Sequence, residues 1–367
     1  MNVKVISNKL ELKKFINMPD ELYIDDKFYV PFMKKDLFKN LNKLVFIDKT
    51  YIALVVENNN KYIARLLITV NYSKQLNLNK CGYFSLFESI NDKECIKLLF
   101  DYAISILKKQ NITHLEGTFY PYDQDNRRGI QISGFEDEPL IFTSYNKDYY
   151  KVLLEEYGFK KDFDTYAYKH DFNEYNLDRV EKIKERLLKK TNIKIENVNF
   201  KQIKKEISDI HQIMKQATND IIFQEAPSIE ELESIVKNWK SFLWDDLILV
   251  ARTKENKPVG FVMAIPNYYF VFRKMKGKLN LISLIKMIYY KNKIKSMRIM
   301  LQYVIPEYQN KGINFLLYNE LYINSKKHKI NYVESGTIME NNIQSRLNTE
   351  KAGGVNNKIF RIYGLDI

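Results

Sequence analysis

Apolar and polar residues alternate along this chain in two patterns, one with the period of a strand and one with the period of a helix. In the first half, two runs rich in β-branched and aromatic residues flank Asn58-Asn-Asn60, which predicts a β-hairpin. In the second half, residues 247–251 and 259–265 repeat this pattern around Asn256-Lys-Pro258. A strand, a helix, a second strand, a short helix and a closing strand follow each hairpin. The two halves are therefore predicted to share one order of elements.

The repeat is also visible in the residues themselves. Residues 107–118 end in Leu-Glu-Gly-Thr, and residues 325–337 end in Val-Glu-Ser-Gly-Thr. Strands that alternate with helices predict an α/β chain with a mixed sheet of the α+β kind. A repeat of this length predicts two tandem domains, at residues 1–171 and 193–367, which a helical connector at residues 172–192 joins.

Two helix starts carry capping signals. Ser228, with Glu231 three residues later, has the spacing of a capping box. Asn91, with Glu94 three residues later, is the predicted N-cap of the first long helix.

Composition narrows the classes of protein. The chain has 367 residues, of which 45% are hydrophobic, and this indicates a packed protein long enough for two domains. Cys81 and Cys95 give neither a disulfide framework nor metal-ligand spacing, so we expect no metal. Neither a signal peptide nor a membrane span is evident, which predicts a cytoplasmic protein. The formal net charge of +13 favours anionic partners, such as a phosphorylated cofactor, a nucleic acid or a membrane surface.

The turn before the last long helix predicts a phosphate site. Residues 302–305 suit a strand, and Pro306 ends it because proline cannot continue a central ladder. A helical pattern begins after Gly312, and the polar residues 309–311 lie between strand and helix. The free N–H groups and the dipole of a helix start attract phosphate, and glycine lets the backbone approach it. The other interpretation is an ordinary helix start beside a solvated lysine.

Two motifs carry a resemblance to a known superfamily. Gln309-Asn-Lys-Gly-Ile-Asn314 resembles the pyrophosphate loop of the GNAT acyltransferases, Gln/Arg-x-x-Gly-x-Gly/Ala, with asparagine at the last, normally small, position. Asn342, with Ser345, Glu350 and Gly353, resembles their second cofactor motif, Asn-x-x-Ala/Ser-x-x-x-Tyr-Glu-x-x-Gly. The whole chain resembles tandem-domain bacterial N-acyltransferases of this superfamily, a group with ceramide-synthase-like members. The resemblance implies two GNAT-like domains.

The resemblance also implies an acyl-CoA donor, with acetyl or a longer chain, in the second half. The first half has the acidic turn of residues 87–92 at the matching place, and negative charge would repel a pyrophosphate. We therefore expect the first half to be a degenerate copy that shapes the acceptor side. The residues expected to bind the donor are Tyr303, Val304, Ile305, Gln309, Asn310, Lys311, Gly312, Ile313, Asn314, Asn342 and Ser345.

Acylation of an amine by a thioester needs a base for the amine, a donor for the oxyanion and a proton for the leaving thiolate. The resemblance implies that the N–H of Val304 or Ile305 stabilises the oxyanion. Thr349 stands where the superfamily often has a tyrosine that protonates the thiolate. Glu334 and Glu340 are the candidate bases, because a carboxylate near a buried thioester can have a raised pKa. The alternative for each is a solvated or cap-bonded glutamate.

Two further segments are candidates for contact with partners. A polar loop with Asp123, Asp125, Asn126 and Arg127 is predicted either to contact a polar acceptor or to be a solvated turn. Residues 268–297 are rich in lysine, tyrosine and aliphatic residues. They are predicted to lie beside the acyl-CoA site as an interfacial membrane helix that guides a long acyl chain or a lipid amine. The alternative is a basic helix that packs on the sheet and meets CoA phosphates.

These patterns together predict an acyl-CoA-dependent N-acyltransferase that acts by direct attack in a ternary complex, since no covalent nucleophile is evident. The expected partners are a small-molecule or lipid amine and, peripherally, the inner face of an anionic membrane. One alternative is an aminoacyltransferase that uses aminoacyl-tRNA, although no nucleic-acid module accompanies the charge. The other is a non-catalytic regulator that binds a ligand on the same fold.

Overall fold

The structure is a computed structural model that describes residues 1–69, 81–119, 127–174, 177–218, 226–278 and 280–367. Within these ranges the chain forms one mixed sheet of 13 strands together with 11 α-helices. The predicted α/β class with a mixed sheet is confirmed.

The strands follow the predicted order in each half, with three additions that were not predicted, β1, β6 and β8. Their bounds are β1 Asn2–Val5, β2 Tyr51–Asn58, β3 Lys61–Thr69, β4 Cys81–Ser89, β5 His114–Gly117, β6 Ile130–Ser133, β7 Lys160–Asp171, β8 Lys194–Asn197, β9 Ile248–Arg252, β10 Pro258–Pro266, β11 Ser296–Val304, β12 Tyr332–Met339 and β13 Val355–Asp366.

The helices lie between these strands. Their bounds are α1 Lys9–Leu22, α2 Lys34–Asn42, α3 Lys93–Lys108, α4 Tyr150–Tyr157, α5 Leu177–Thr191, α6 Ile203–Thr218, α7 Ile229–Trp239, α8 Tyr269–Met275, α9 Leu281–Lys291, α10 Ile313–Lys327 and α11 Ile343–Lys351.

One of the two predicted caps is confirmed and the other was displaced by one residue. Ser228 Oγ accepts a hydrogen bond from the Glu231 N–H, and the Glu231 carboxylate accepts one from the Ser228 N–H, so the capping box is complete. Helix α3 is capped by Asp92, not by Asn91, because the Asp92 carboxylate accepts from the Cys95 N–H at 3.0 Å. The start of α3 therefore already carries a negative charge.

Each half contains one pair of parallel strands that are joined by a ladder of only four residue pairs. Strands β4 and β5 pair from Cys81, opposite His114, to Phe84, opposite Gly117. Strands β11 and β12 pair in the same way over four residues. Beyond these short ladders the strands of each pair separate, so each half has one opening in its sheet.

The two halves exchange their closing strands. The order through the centre of the sheet is β5-β13-β7-β12. Strand β7, from the first half, therefore pairs with β12 of the second half, where His170 lies opposite Val333. Strand β13, from the second half, pairs with β5 of the first half, where Tyr363 lies opposite Gly117. The division at residues 171 and 193 stays a prediction, but neither half completes its own part of the sheet.

Residues of the first half also enter the apolar core of the second. The largest buried cluster is built on β9, β10, β11 and α10, and it includes Val30 and Ile141 from the first half. Phe142 packs its ring on Trp239 of α7 with ring centroids 4.9 Å apart. The segment after β6 is therefore part of the packing around the second opening.

Candidate functional site

The opening between β11 and β12 begins at the pair Ile299 and Ser335. These are the last residues that face each other in the parallel ladder. From Leu301 onward β11 pairs only with β10, and from Ile338 onward β12 pairs only with β7. Met300 is the extra residue of a β-bulge at this point, because Ile299 and Leu301 face consecutive residues of β10. The bulge and the exchanged strand thus hold the two strands apart.

The hydrogen bonds of β11 decide which backbone groups face the opening. The Ile305 N–H donates to the Val259 carbonyl at 3.0 Å, so it cannot stabilise an oxyanion. Narrow and wide pairs alternate in an antiparallel ladder, and the N–H groups of Val304 and Gln302 therefore point away from β10. The Val304 carbonyl points the same way, since it accepts from Gln309 Nε2 at 3.1 Å. Of the two residues proposed from the sequence, Val304 is the one with an available N–H.

The predicted phosphate loop closes the wide end of this opening. Gly312 is the N-cap of α10 and has a φ of 83°, in the left-handed region that favours glycine. A Cβ at this residue would lie 2.7 Å from Leu187 Cδ2 of α5, so the connector packs directly on the loop. Lys311 is exposed, with Nζ 4.8 Å from the centre of the Tyr308 ring. Lys190 is exposed and follows Leu187 by one helical turn, so it adds positive charge near the loop. It was not among the residues predicted to bind the donor.

Two side chains at the start of α10 and α11 bear on the fit of a CoA donor. Asn314 Oδ1 is buried and has no hydrogen-bond partner among the described residues, although it lies on the first turn of α10. Asn342 caps α11 and accepts from the Ser345 N–H at 3.1 Å, an ordinary structural role that can coexist with a contact to the donor. Free helix N–H groups and a positive-φ glycine suit a pyrophosphate, and the unpartnered Asn314 Oδ1 suits an N–H donor such as those of the pantetheine arm. The residues present therefore fit a CoA thioester.

Glu334 is held in a buried ion pair and is not free to act as a base. It is 1% exposed, and its Oε2 accepts hydrogen bonds from Lys358 Nζ and from Asn357 Nδ2. Its other carboxylate oxygen is buried without a partner among the described residues. The lysine ammonium and the asparagine amide together occupy this carboxylate oxygen. The geometry favours a structural role for Glu334.

Glu340 lies at the far end of β12 from the narrow end of the opening. Its carboxylate is bound by Lys161 Nζ, and its N–H donates to the Asp164 carbonyl. Five residues separate it from Ser335, which corresponds to roughly 16 Å along a strand. This separation disfavours Glu340 as the group that deprotonates an amine at the narrow end.

His170, which the sequence did not single out, lies at the narrow end of the opening. Its Nε2 is 3.1 Å from Ser335 Oγ. Burial lowers the pKa of His170, and a hydrogen bond to the Ala352 backbone partly offsets this effect. A Cβ placed on Gly354 would touch both the His170 ring and Thr349 Cγ2, so imidazole and threonine flank one small space. A neutral imidazole therefore lies beside the position where the superfamily often has its tyrosine.

The matching opening of the first half is filled by tyrosines. The Ile90 N–H donates to the Ile63 carbonyl, so Ser89 holds the place that Val304 holds in the second half. The Ser89 N–H donates to Tyr150 Oη at 2.8 Å, and Tyr149 Oη donates to the Ser89 carbonyl. The backbone groups that could hold a donor are thus occupied, and Asp92 blocks the helix start with negative charge. These contacts agree with the degenerate character expected for the first half, which stays a prediction.

The two remaining predicted segments have different outcomes. Asp123, Asp125 and Asn126 lie outside the described residues. Arg127 donates from Nε to Tyr269 Oη at 2.8 Å and its guanidinium stacks on Phe32, so it ties the halves together. Residues 268–297 form α8 and α9, and they join the start of β11, at the opposite end from the phosphate loop. This placement disfavours contact between these helices and CoA phosphates.

Within the described ranges, no cluster of three or more His, Cys, Asp or Glu side chains could hold a metal ion.

Comparisons of the whole chain agree with this geometry. No family model matches the sequence. Among solved structures, a tandem GNAT protein of the clavulanic acid biosynthesis pathway superposes with a TM-score of 0.55 and 9% identity, over 100% of this chain and 98% of that one. The chain has the tandem GNAT fold. A GCN5-related N-acetyltransferase from Sphaerobacter thermophilus shares the fold, with a TM-score of 0.54 and 9% identity over 99% of this chain and 95% of that one.

The tandem GNAT fold is also found as part of a larger protein. A GCN5-related glucosamine N-acetyltransferase region of a fungal multi-domain β-N-acetylglucosaminidase matches with a TM-score of 0.57 and 13% identity. That match covers 99% of this chain and 38% of the fungal protein.

Two relatives align along almost the full length. Protein YghO of Escherichia coli (strain K12) is 23% identical over 375 residues, 98% of this chain and 94% of the relative. A bacterial ceramide synthase of Caulobacter vibrioides (strain NA1000 / CB15N) is 22% identical over 377 residues, 99% of this chain and 97% of the relative.

Proposed function

We propose that this protein is an acyl-CoA-dependent N-acyltransferase whose donor binds in the opening between β11 and β12. The observation that supports this most is the opening itself. The parallel ladder ends at Ile299 and Ser335, the free N–H groups of Gln302 and Val304 face the gap, and the gap ends at the Gly312 loop. Phosphates would bind at the loop and the thioester would lie toward the narrow end. Gln302, two residues nearer that end than Val304, is then the better placed N–H for the oxyanion.

The catalytic step that this geometry supports is direct attack of an amine on the thioester. The amine nitrogen forms the C–N bond, and its proton passes through Ser335 Oγ to the neutral imidazole of His170. The C–S bond then breaks, and His170, now charged, can return the proton to the thiolate. His170 would in this way supply both proton transfers. The other candidates are less suitable, because Glu334 is occupied by its ion pair, Glu340 is distant and Thr349 is too weak an acid.

The acceptor proposed first is a lipid amine with a long-chain donor. The relative named as a bacterial ceramide synthase supports this choice, since a ceramide is an N-acylated long-chain amine. A small amine with acetyl-CoA is the alternative that the same opening allows.

Native mass spectrometry with acetyl-CoA and palmitoyl-CoA tests the donor. We expect one donor per chain, and weaker binding after Lys311→Glu, because this change places a negative charge at the phosphate loop. Lys61→Glu is the matched control, an equally exposed lysine on β3 of the first half. If the wild type binds neither donor, or if Lys311→Glu binds as the control does, the proposal is wrong. Product analysis with a long-chain amine and with small amines then identifies the acceptor.

A further inference from the structure

Helix α9 exposes an apolar face that no other described part of the chain covers. The side chains on this face belong to one side of an 11-residue helix, one to four residues apart in sequence. Their exposed fractions are Leu281 74%, Ile282 65%, Ile285 61%, Ile288 73% and Tyr289 59%. Five large apolar groups in one patch exceed the scattered single residues of an ordinary protein surface.

The opposite side of α9 is anchored on the protein. Ser283 is buried, and its N–H donates to the side chain of the N-cap Asn280 at 2.9 Å. Tyr290 packs edge-on against Phe270 of α8, with ring centroids 5.9 Å apart. Lys286 Nζ donates to the Lys274 carbonyl. The helix is therefore held in a fixed orientation, with its apolar face outward.

Positive charge surrounds this face. Residues 273–298 contain nine lysines and arginines and no acidic residue. The exposed lysines are Lys274, Lys276, Lys278, Lys293 and Lys295. In the part of the chain that the structure describes, Arg273 has a carboxylate partner, Glu138, whereas these five lysines are in no ion pair. Their charge is available to an anionic partner.

We propose that α9 docks this protein on the surface of an anionic lipid bilayer. An outward apolar face flanked by unpaired lysines suits the boundary between headgroups and acyl chains, where the apolar residues are buried and the lysines meet phosphates. A second copy of the chain is a poorer occupant, because a symmetric contact would bring two lysine clusters together. The helices of the described ranges are all too short or too polar to cross a bilayer, so the docking is peripheral.

Docking through α9 would orient the opening between β11 and β12 relative to the bilayer. Asn292 to Lys295 connect α9 to the start of β11, and the phosphate loop follows the end of β11. Nine strand residues separate these ends by roughly 30 Å. The narrow end of the opening is nearer to α9, while the polar loop would remain in water. Docking itself is independent of the proposed chemistry and can be measured without any substrate.

Cosedimentation with vesicles tests the docking. The probe is phosphatidylcholine vesicles with roughly one-third phosphatidylglycerol, compared with pure phosphatidylcholine, at low salt and at about 0.5 M salt. We expect binding to the anionic vesicles that weakens with salt. The variant Ile282→Asp/Ile285→Asp/Ile288→Asp should reduce the bound fraction by at least about tenfold. Leu10→Asp on α1, which is 73% exposed in the wild type, is the matched control and should bind as the wild type does.

A site-specific probe tests whether the apolar face of α9 enters the bilayer or contacts a second copy of the chain. Both native cysteines are buried, so an environment-sensitive dye can be attached to Ile285→Cys, with Leu10→Cys as the control. We expect a blue shift on adding anionic vesicles only for the label at 285. Absence of vesicle binding by the wild type, or equal binding by the triple variant, overturns the proposal. Sedimentation that shows a wild-type dimer and a monomeric triple variant would assign the face to a second copy and overturn it as well.

Discussion

His170 Nε2 lies 3.1 Å from Ser335 Oγ, and these two residues come from different halves of the chain. His170 is on β7, the closing strand of the first half, and Ser335 is on β12 of the second. The exchange of closing strands therefore places an imidazole at the narrow end of the second opening. The second half alone would lack the partly buried histidine that the described part of β7 brings to this point.

Replacing His170 tests whether it accepts the amine proton. His170→Gln should lower kcat/KM for amide formation by about 100- to 10,000-fold while acyl-CoA binding is retained, since loss of a general base has this size of effect. His211→Gln, on α6, is the control and should leave the rate unchanged. Full activity in His170→Gln would remove the proposed role.

The pH profile distinguishes a proton acceptor from a packing residue. Burial lowers the pKa of His170 below its ordinary value of 6.5, so its neutral form persists to a lower pH than in a free histidine. The activity of the wild type should fall only as the pH drops below 6.5, and His170→Gln should lose this acid limb. The free energy of unfolding should also fall as the pH drops below 6.5. The unfolded chain, in which His170 has its ordinary pKa, binds the proton more readily than the folded chain does.

Gly312 and Gly353 form a matched pair for the phosphate loop. Both have a positive φ, 83° and 87°, but a Cβ at Gly312 would lie 2.7 Å from Leu187 whereas nothing lies within 4 Å at Gly353. Gly353→Ala should cost about 1 kcal/mol through backbone strain alone. Gly312→Ala should cost about 2–4 kcal/mol, because crowding adds to the strain. Urea unfolding measures both, and equal losses would contradict the packing of α5 on the loop.

The ion pair of Glu334 and Lys358 is predicted to stabilise the sheet only as an intact pair. Each residue is 1% exposed, so Glu334→Ala or Lys358→Ala leaves one buried charge and should cost about 3–5 kcal/mol. The double variant Glu334→Met/Lys358→Met should recover most of this loss, as apolar replacements of buried pairs often do. A double-variant cycle in urea is the measurement. If the double variant keeps its stability but loses all turnover, Glu334 has a catalytic role after all.

The raised pKa of Glu116 should make the stability of the protein depend on pH. Burial, followed by the nearby charge of Asp162, raises the pKa of Glu116 to about 7. A carboxyl whose pKa is higher in the folded state binds its proton more tightly there, so its contribution is complete below pH 4.5 and is lost as the pH rises through 7. Glu116→Gln should flatten the decline of Tm between these limits. Thermal unfolding at several pH values tests this, and an unchanged slope would show that another group is responsible.

Local patterns were sufficient for the elements whose signals lie within a few residues. The capping box of Ser228 and the hairpin at Asn58 to Asn60 depend on neighbours in sequence, and both are confirmed. The Gly312 turn was also predicted, because Pro306 ends the strand and the helical pattern begins directly after Gly312; its positive φ was found in the structure. Strands β1, β6 and β8, of four residues each, were missed because so short a stretch carries little periodicity.

The residues at the narrow end of the opening could not be predicted in the same way. His170 and Ser335 are 165 residues apart, and nothing near either one indicates which half β7 will pair with. Glu334 was a candidate base because the sequence does not show the buried lysine that pairs with it. Its partner Lys358 is on β13, and the pairing that joins these strands through β7 is a property of the whole sheet.

The exchanged closing strands also bear on how such a chain can change over generations. A deletion of residues 1–171 would remove the strand that separates β12 from β13, and a deletion of residues 193–367 would leave β5 with an open edge. The half in which Tyr149 and Tyr150 occupy the Ser89 backbone groups supplies β7 to the sheet of the other half, so the loss of either half would open the sheet. A tandem chain with this strand order is therefore not readily shortened to one half, and new specificity has to arise inside the pair.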